Sequence, residues 1–330
     1  MDHSKFPKVE LHLHLDCSLS YNVVKQINPA ITFEEYRHSF VAPPKCTDLA
    51  DYLSRAIRGF ELMQTKEQLR LVVSDLFEQL KADNVIYAEI RFAPLLHLQK
   101  GLSSVDVTDT VNKAVTEGIQ QTGVEAGIIL CTLRHYTEEQ SMHTAKLVEQ
   151  FKGTNVIGFD IAGDEAGFPI TNHTGAFEFA KANSIHCTAH AGEAKGPASV
   201  RETLRHFHPS RIGHGVRSAE DPSLLTFLKS GNIHLEVCPT SNIQTNVYDK
   251  PENHTADKIY NAGVSMSINT DCRTISDVTL ASEYEMLERI FNWNKEHFLT
   301  CNLAAIEHSF TTKEKKEKLK ARIMAGFNQQ

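Results

Sequence analysis

The sequence predicts an α/β fold, a closed (β/α)8 barrel, on two observations. Short apolar runs rich in Val and Ile recur eight times along the 330 residues. Between them lie longer stretches whose apolar residues repeat with the 3.6-residue period of a helix. Near-continuous apolar runs mark strands covered on both faces, and parallel strands are joined by helical crossovers. Alternation at roughly 40 residues per unit favours the closed TIM architecture over an open doubly wound sheet. The open alternative also lacks the G-x-G-x-x-G turn that a dinucleotide-binding version carries after its first strand.

The expected strands are residues 9–13, 85–92, 126–132, 156–161, 186–191, 211–214, 233–237 and 264–268. From the fourth onward, the spacing leaves room for one helix between each pair. Helical periodicity is explicit in Leu49, Tyr52, Leu53, Ala56, Phe60 and Met63, and again in Leu69, Leu71, Val72, Leu76 and Leu80. The stretch from Leu15 to Asn84 is too long for one crossover. It must hold several extra helices between strands 1 and 2, expected to form a lid over the C-terminal face. No internal repeat or flexible linker interrupts the pattern, so residues 1–330 are expected to form a single domain.

Composition narrows the function. The chain is 41% hydrophobic and 23% charged, with 34 basic and 41 acidic residues and a net charge of −7. That balance gives no electrostatic footprint for nucleic acid. The one basic run, residues 313–318, alternates Lys and Glu and reads as a solvated terminal helix. Seven cysteines, an odd number without framework spacing, suggest reduced thiols and a cytoplasmic setting. The first residues carry no apolar leader, and no stretch approaches membrane-spanning length, so no membrane partner is expected.

The polar residues that interrupt the strands carry the chemistry. His12 and His14 lie two apart in one strand and so share a face. His190 ends the fifth strand, His214 the sixth and Asp271 the eighth. In a (β/α)8 barrel the C-terminal ends of the strands build the active site. A lone His in an apolar strand is usually a packed structural residue, and with 17 histidines some must be. Such groups at corresponding ends of different strands are not explained that way. Imidazoles and a carboxylate are suitable ligands for zinc, which lowers the pKa of a bound water toward neutrality. Glu193, three residues past His190, could act as a general acid if a dry pocket keeps it protonated. His97, His135, His186 and His234 are read as packing residues. The His234-x-Glu236 pair lacks the P-C-x-x-C partner of cytidine-type deaminases and is set aside.

Seven segments, in this order, resemble the adenosine deaminase branch of the amidohydrolase superfamily. They are Leu11-His12-Leu13-His14-Leu15-Asp16, Tyr87-Ala88-Glu89-Ile90-Arg91-Phe92-Ala93-Pro94 and Gly158-Phe159-Asp160-Ile161-Ala162-Gly163-Asp164-Glu165. Further on come His190-Ala191-Gly192-Glu193, Arg211-Ile212-Gly213-His214-Gly215, Cys238-Pro239-Thr240-Ser241-Asn242 and Ser267-Ile268-Asn269-Thr270-Asp271. The resemblance implies one divalent ion, zinc, on His12, His14, His190 and Asp271. It implies that Glu193 protonates purine N1, that His214 orients and helps activate the attacking water, and that Asp271 takes its proton. Asp16 would meet a ribose hydroxyl, the Gly163 amide purine N3, and Leu49, Tyr52, Leu53 and Ala56 would cover the substrate. No lysine stands at Ala162-Gly163-Asp164 to bridge a second metal.

Two positions depart from the family pattern. Cys17 stands where glycine usually follows the Asp, so a side chain is expected to strain a glycine-type backbone. Cys272 replaces the residue that donates to purine N7, and a thiol is a weak donor. The implied reaction is deamination of adenosine and 2′-deoxyadenosine to the inosine products, with a small-molecule purine nucleoside as the partner. The alternatives are another 6-aminopurine nucleoside, such as a 5′-modified adenosine or aminodeoxyfutalosine, and a non-catalytic nucleoside-binding protein. Oligomeric state is not legible.

Overall fold

The computed structural model describes residues 1–329. Eight parallel strands follow one another around the barrel in chain order: β1 (Lys8–His14), β2 (Val85–Phe92), β3 (Glu125–Leu133), β4 (Val156–Ala162), β5 (His186–Ala191), β6 (Arg211–His214), β7 (His234–Val237) and β8 (Met266–Ile268). Each expected run therefore contains a strand. The last two begin one and two residues later than the apolar pattern suggested.

Strand β8 is only three residues long, and a side chain completes the seam beside it. Asn269 Oδ1 accepts from the amides of Leu11 and His12 at 2.8 and 3.2 Å, while its Nδ2 donates to the Val237 carbonyl at 3.2 Å. Beyond it, the His14 amide donates to the Asp271 carbonyl and the Asp271 amide to the His12 carbonyl, at 2.8 and 3.0 Å. These bonds tie the first strand to the last, as closure requires.

The barrel interior is not wholly apolar. In β2, Glu89 and Arg91 are fully buried, and Arg91 bridges Asp160 of β4 and Glu236 of β7 at 2.7 Å each. Arg211 of β6 joins Glu89 at 2.6 Å and Glu236 at 2.7 Å. The apolar residues that alternate with them, Ala88, Ile90 and Phe92, belong to the core instead. This is the period-2 alternation of a barrel strand with charge on its inner face.

Between β1 and β2 the chain forms helices Tyr21–Ile27, Phe33–Phe40, Leu49–Leu53, Ala56–Glu61 and Lys66–Ala82. The apolar period from Leu49 to Met63 reads as one helix but folds as two, broken at Ser54-Arg55. The basic run lies in the terminal helix Lys313–Asn328, whose Leu319, Ile323 and Phe327 are buried. All seven cysteines are buried with free thiols. Among the described residues, no helix is long and apolar enough to cross a membrane.

Candidate metal and active site

A cavity of about 500 Å³ opens at the C-terminal ends of the strands. It is lined by His14, Asp16, Gly163, His190, Glu193, His214, Asp271 and Cys272, with Leu49, Tyr52, Leu53 and Ala56 on its outer wall. The structure thus brings to one place every residue singled out from the sequence except His12, which lies buried against the others. His214 and Asp271 both have left-handed backbone, with φ of 60° and 62°. For residues with a side chain that conformation costs on the order of 1 kcal/mol and recurs at functional sites.

His12, His190, His214 and Asp271 can each offer an atom within 4.8 Å of all the others. His14 joins them, its Nε2 3.2 Å from His190 Nε2 and 3.4 Å from Asp271 Oδ1. His12 Nε2 is buried without a hydrogen-bond partner, although it lies 3.3 Å from Asp271 Oδ1. Ring nitrogens facing one another, and an orphaned one beside a carboxylate, are reconciled by a cation among them. The donor set of imidazoles and a carboxylate fits a divalent metal such as zinc. Five groups converge, one more than a tetrahedral set needs, and distances alone do not choose between His14 and His214.

Two of these rings are oriented from below. Glu236 takes His12 Nδ1 at 2.9 Å and Asp160 takes His190 Nδ1 at 3.1 Å, so both Nε2 atoms point into the site. Ser241 donates to the second oxygen of Asp271 at 2.7 Å. Burial holds His14, His190 and His214 below the usual imidazole range, which favours neutral rings able to bind a metal. For His12, burial and the Arg91 charge push down, but the Asp271 and Glu236 carboxylates prevail and raise it. Asp271 stays well below the ordinary range, because the surrounding imidazoles outweigh its burial.

Glu193 is held differently. Burial first, then the charges of Asp271 and Glu165, raise its carboxyl well above the usual value. Its loop is clamped by Glu165, whose two oxygens accept from the amides of Gly192, Glu193, Ala194 and Lys195 and from Ser199 Oγ at 2.5 to 3.0 Å. Gly192 is required there: its φ is +69°, and a Cβ would meet Val200 at 2.5 Å. Asp16 is also raised, to about 6, by burial.

The expectation of strain at Cys17 is overturned. Cys17 lies in the 3-10 turn Leu15–Cys17 and is not among the residues of positive φ. Its side chain packs in one apolar cluster with Cys272, Leu49, Tyr52 and Ile275, and the two thiols interact. The two departures from the family pattern are therefore neighbours. His186 is also not deep in its strand: it is exposed and stacks on Phe310 with ring centroids 4.9 Å apart.

Sequence reasoning passed over Asp160, Glu165, Glu236, Asn242 and Arg91. The H-x-E spacing pairs Glu236 with His234, but the ring of His234 bonds Ser265 and Ser267. The available signal was charge inside apolar strand runs, since a charge on an inner barrel face needs a partner there.

Fold and site together define a metal-dependent hydrolase built on a (β/α)8 barrel. The family model described as adenosine deaminase matches residues 7–326, and the chain belongs to that family. It is 35% identical over 320 residues to an adenosine deaminase of Clostridium acetobutylicum, spanning 95% of this chain and 96% of that protein. Arabidopsis ADAL complexed with IMP has the same fold, with a TM-score of 0.88 at 24% identity over 100% and 99% of the two chains. So does an amidohydrolase of Burkholderia ambifaria with bound Zn, with a TM-score of 0.90 at 20% identity over 99% and 92%.

Proposed function

We propose that this chain hydrolyses adenosine and 2′-deoxyadenosine to inosine, 2′-deoxyinosine and ammonia, with zinc as its metal. The observation that carries the reading is a buried carboxyl, Glu193, which burial pushes toward its protonated form, facing a converging histidine and aspartate cluster in a cavity the size of a small ligand site. The name of the Clostridium relative supports the reaction, the IMP complex of ADAL a purine ligand, and the Zn of the Burkholderia protein the metal.

In this reading His12, His14, His190 and Asp271 hold the ion, which supplies Lewis acidity and lowers the pKa of a bound water. Asp271, kept ionised, takes the proton of the attacking water. Glu193 gives its proton to N1 of the purine, which draws electrons from C6 and favours addition there. His214 Nε2 lies 3.5 Å from Glu193 Oε2 and faces the same space. Asp271 passes the water's proton to the C6 amino group, the C6–N bond breaks to release ammonia as the C6 carbonyl forms, and the hydroxyl proton returns to Glu193. Asp16 meets the ribose, the Gly163 amide meets N3, and Cys272 replaces a stronger donor at N7. Leu49, Tyr52 and Leu53 form a lid that excludes water. The chain works as a single domain, in the cytoplasm.

The outer wall favours a second reading alongside. Leu49, Leu53, Ile57 and Phe60 make it apolar, and among the described residues no Lys or Arg lines the cavity. An adenosine with an uncharged 5′ substituent fits that wall better than a 5′-phosphate. Ammonia release is the test, measured with zinc and with a chelator on adenosine, 2′-deoxyadenosine, AMP and a 5′-alkylthio adenosine. Metal-dependent release from adenosine supports the first reading. A 5′-modified analogue faster by tenfold moves the substrate. Binding of adenosine without release by zinc-loaded protein identifies a non-catalytic nucleoside-binding protein.

A further inference from the structure

His214 is joined to the backbone by a chain of hydrogen bonds that none of its own neighbours at the metal cluster supplies. The Ala256 amide donates to His254 Nδ1 at 3.1 Å. A backbone N–H can only donate, so Nδ1 of this buried ring is an acceptor, and the proton of the neutral ring sits on Nε2. Burial lowers His254 to about 3, so the ring is neutral. His254 Nε2 lies 3.2 Å from Asn242 Oδ1, which accepts that proton's hydrogen bond. The Asn242 amide orientation follows, and its Nδ2 donates to His214 Nδ1 at 3.1 Å. His214 Nδ1 is therefore an acceptor too. Each of these three side chains is buried, His254 at 5%, Asn242 at 0% and His214 at 1% exposure, so no bulk water competes for their positions.

We infer that His254 and Asn242 are positioning residues that fix His214 as its Nε2–H tautomer, making it a hydrogen-bond donor into the active-site cavity. The consequence separates the five converging groups. A ring nitrogen that carries a proton has no lone pair for a metal, so His214 is excluded from the ligand set and His14 completes it. A protonated Nε2 also cannot take a proton from water. His214 thus orients the attacking oxygen and stabilises charge developing on it, and the task of base falls to Asp271 alone. The inference about catalysis rests on the deaminase reading above; the tautomer does not.

The relay chemistry dictates the variants. Asn242→Asp keeps the shape but leaves only acceptors, so His214 must place its proton on Nδ1 and turn a lone pair into the cavity. His254→Leu removes the group that orients the Asn242 amide, whereas His254→Gln retains an N–H donor at that end. With zinc-loaded full-length protein, Asn242→Asp is expected to lower kcat at least about 100-fold, as expected for a catalytic imidazole in the wrong tautomer. KM stays within about threefold, and the ion remains bound at one per chain. His254→Leu falls in the same direction, and His254→Gln restores most of the rate.

A neutron structure of the wild-type metal-loaded protein reads the tautomer directly. Deuterium on Nε2 of His214 and none on Nδ1 is the expected result. Deuterium on Nδ1, or His214 Nε2 within bonding distance of the metal, overturns the inference. So does wild-type kcat in Asn242→Asp. If the native protein releases no ammonia from any adenosine, the substrate reading fails while the neutron result still decides the tautomer.

Discussion

Arg91 is the residue whose removal tests most directly how the barrel interior serves the site. Its guanidinium is fully buried and donates to Asp160, Glu236 and the Leu11 carbonyl at 2.6 to 2.7 Å. Each carboxylate in turn orients one histidine of the metal cluster, His190 and His12 respectively. Arg91→Leu fits the apolar volume but leaves two buried carboxylates short of a counter-charge. Breaking a buried ion pair in this way costs about 3–5 kcal/mol. For a chain of 330 residues the unfolding entropy is about 0.7 kcal/mol/K, so Tm should fall by about 4–7 °C. Loss of orientation at two rings of the histidine cluster should weaken divalent-metal binding about 10- to 100-fold, the usual range for such outer partners. Arg91→Lys should not rescue either property, because one ammonium cannot span both carboxylates in the fork geometry of arginine. Chelator competition measures the affinity and thermal unfolding of the apo-protein measures Tm. Wild-type metal affinity in a folded Arg91→Leu protein would refute the coupling of the ionic interior to the histidine cluster.

Other variants test the remaining assignments. His14→Ala should lose zinc and activity together, whereas His214→Ala should keep one zinc per chain; the reverse pattern would exchange their roles. Glu193→Gln should abolish turnover with zinc retained, and an unchanged kcat would sink its assignment as general acid. Cys272→Asp should raise kcat/KM for adenosine about fivefold, the worth of about 1 kcal/mol for one hydrogen bond; no gain would count against an N7 contact there. Glu283, buried beneath the Thr240 amide, is raised by burial to about 8. Between about pH 4.5 and 8 the folded protein holds a proton that the unfolded chain has released, so wild-type stability should fall with rising pH by about 1.4 kcal/mol per unit relative to Glu283→Gln. Parallel stability curves for the two proteins would contradict that.

Local sequence pattern is enough to read the strands, the order of the site residues and the family. A strand covered on both faces must be a run of apolar residues, whatever it packs against, so the barrel could be read from local pattern. The C-terminal ends of those runs carry buried polar groups only where chemistry needs them, which is why His190, His214 and Asp271 stand out. Periodicity alone did not find the break between Leu53 and Ala56, because two short helices can share one apolar face. The family pattern is no better a guide at Cys17, whose backbone is set by the 3-10 turn rather than by the residue type a family prefers.

Which residues stand behind the site depends on contacts across the fold. Arg91, Asp160 and Glu236 come from three strands far apart in the chain, and their mutual neutralisation depends on barrel register. The Glu165 clamp joins the loops after β4 and β5, and the His254–Asn242 relay reaches His214 from the chain after β7. No local pattern encodes which nitrogen of an imidazole bears its proton. That is set by the partner across space, and ultimately by one backbone amide that can only donate.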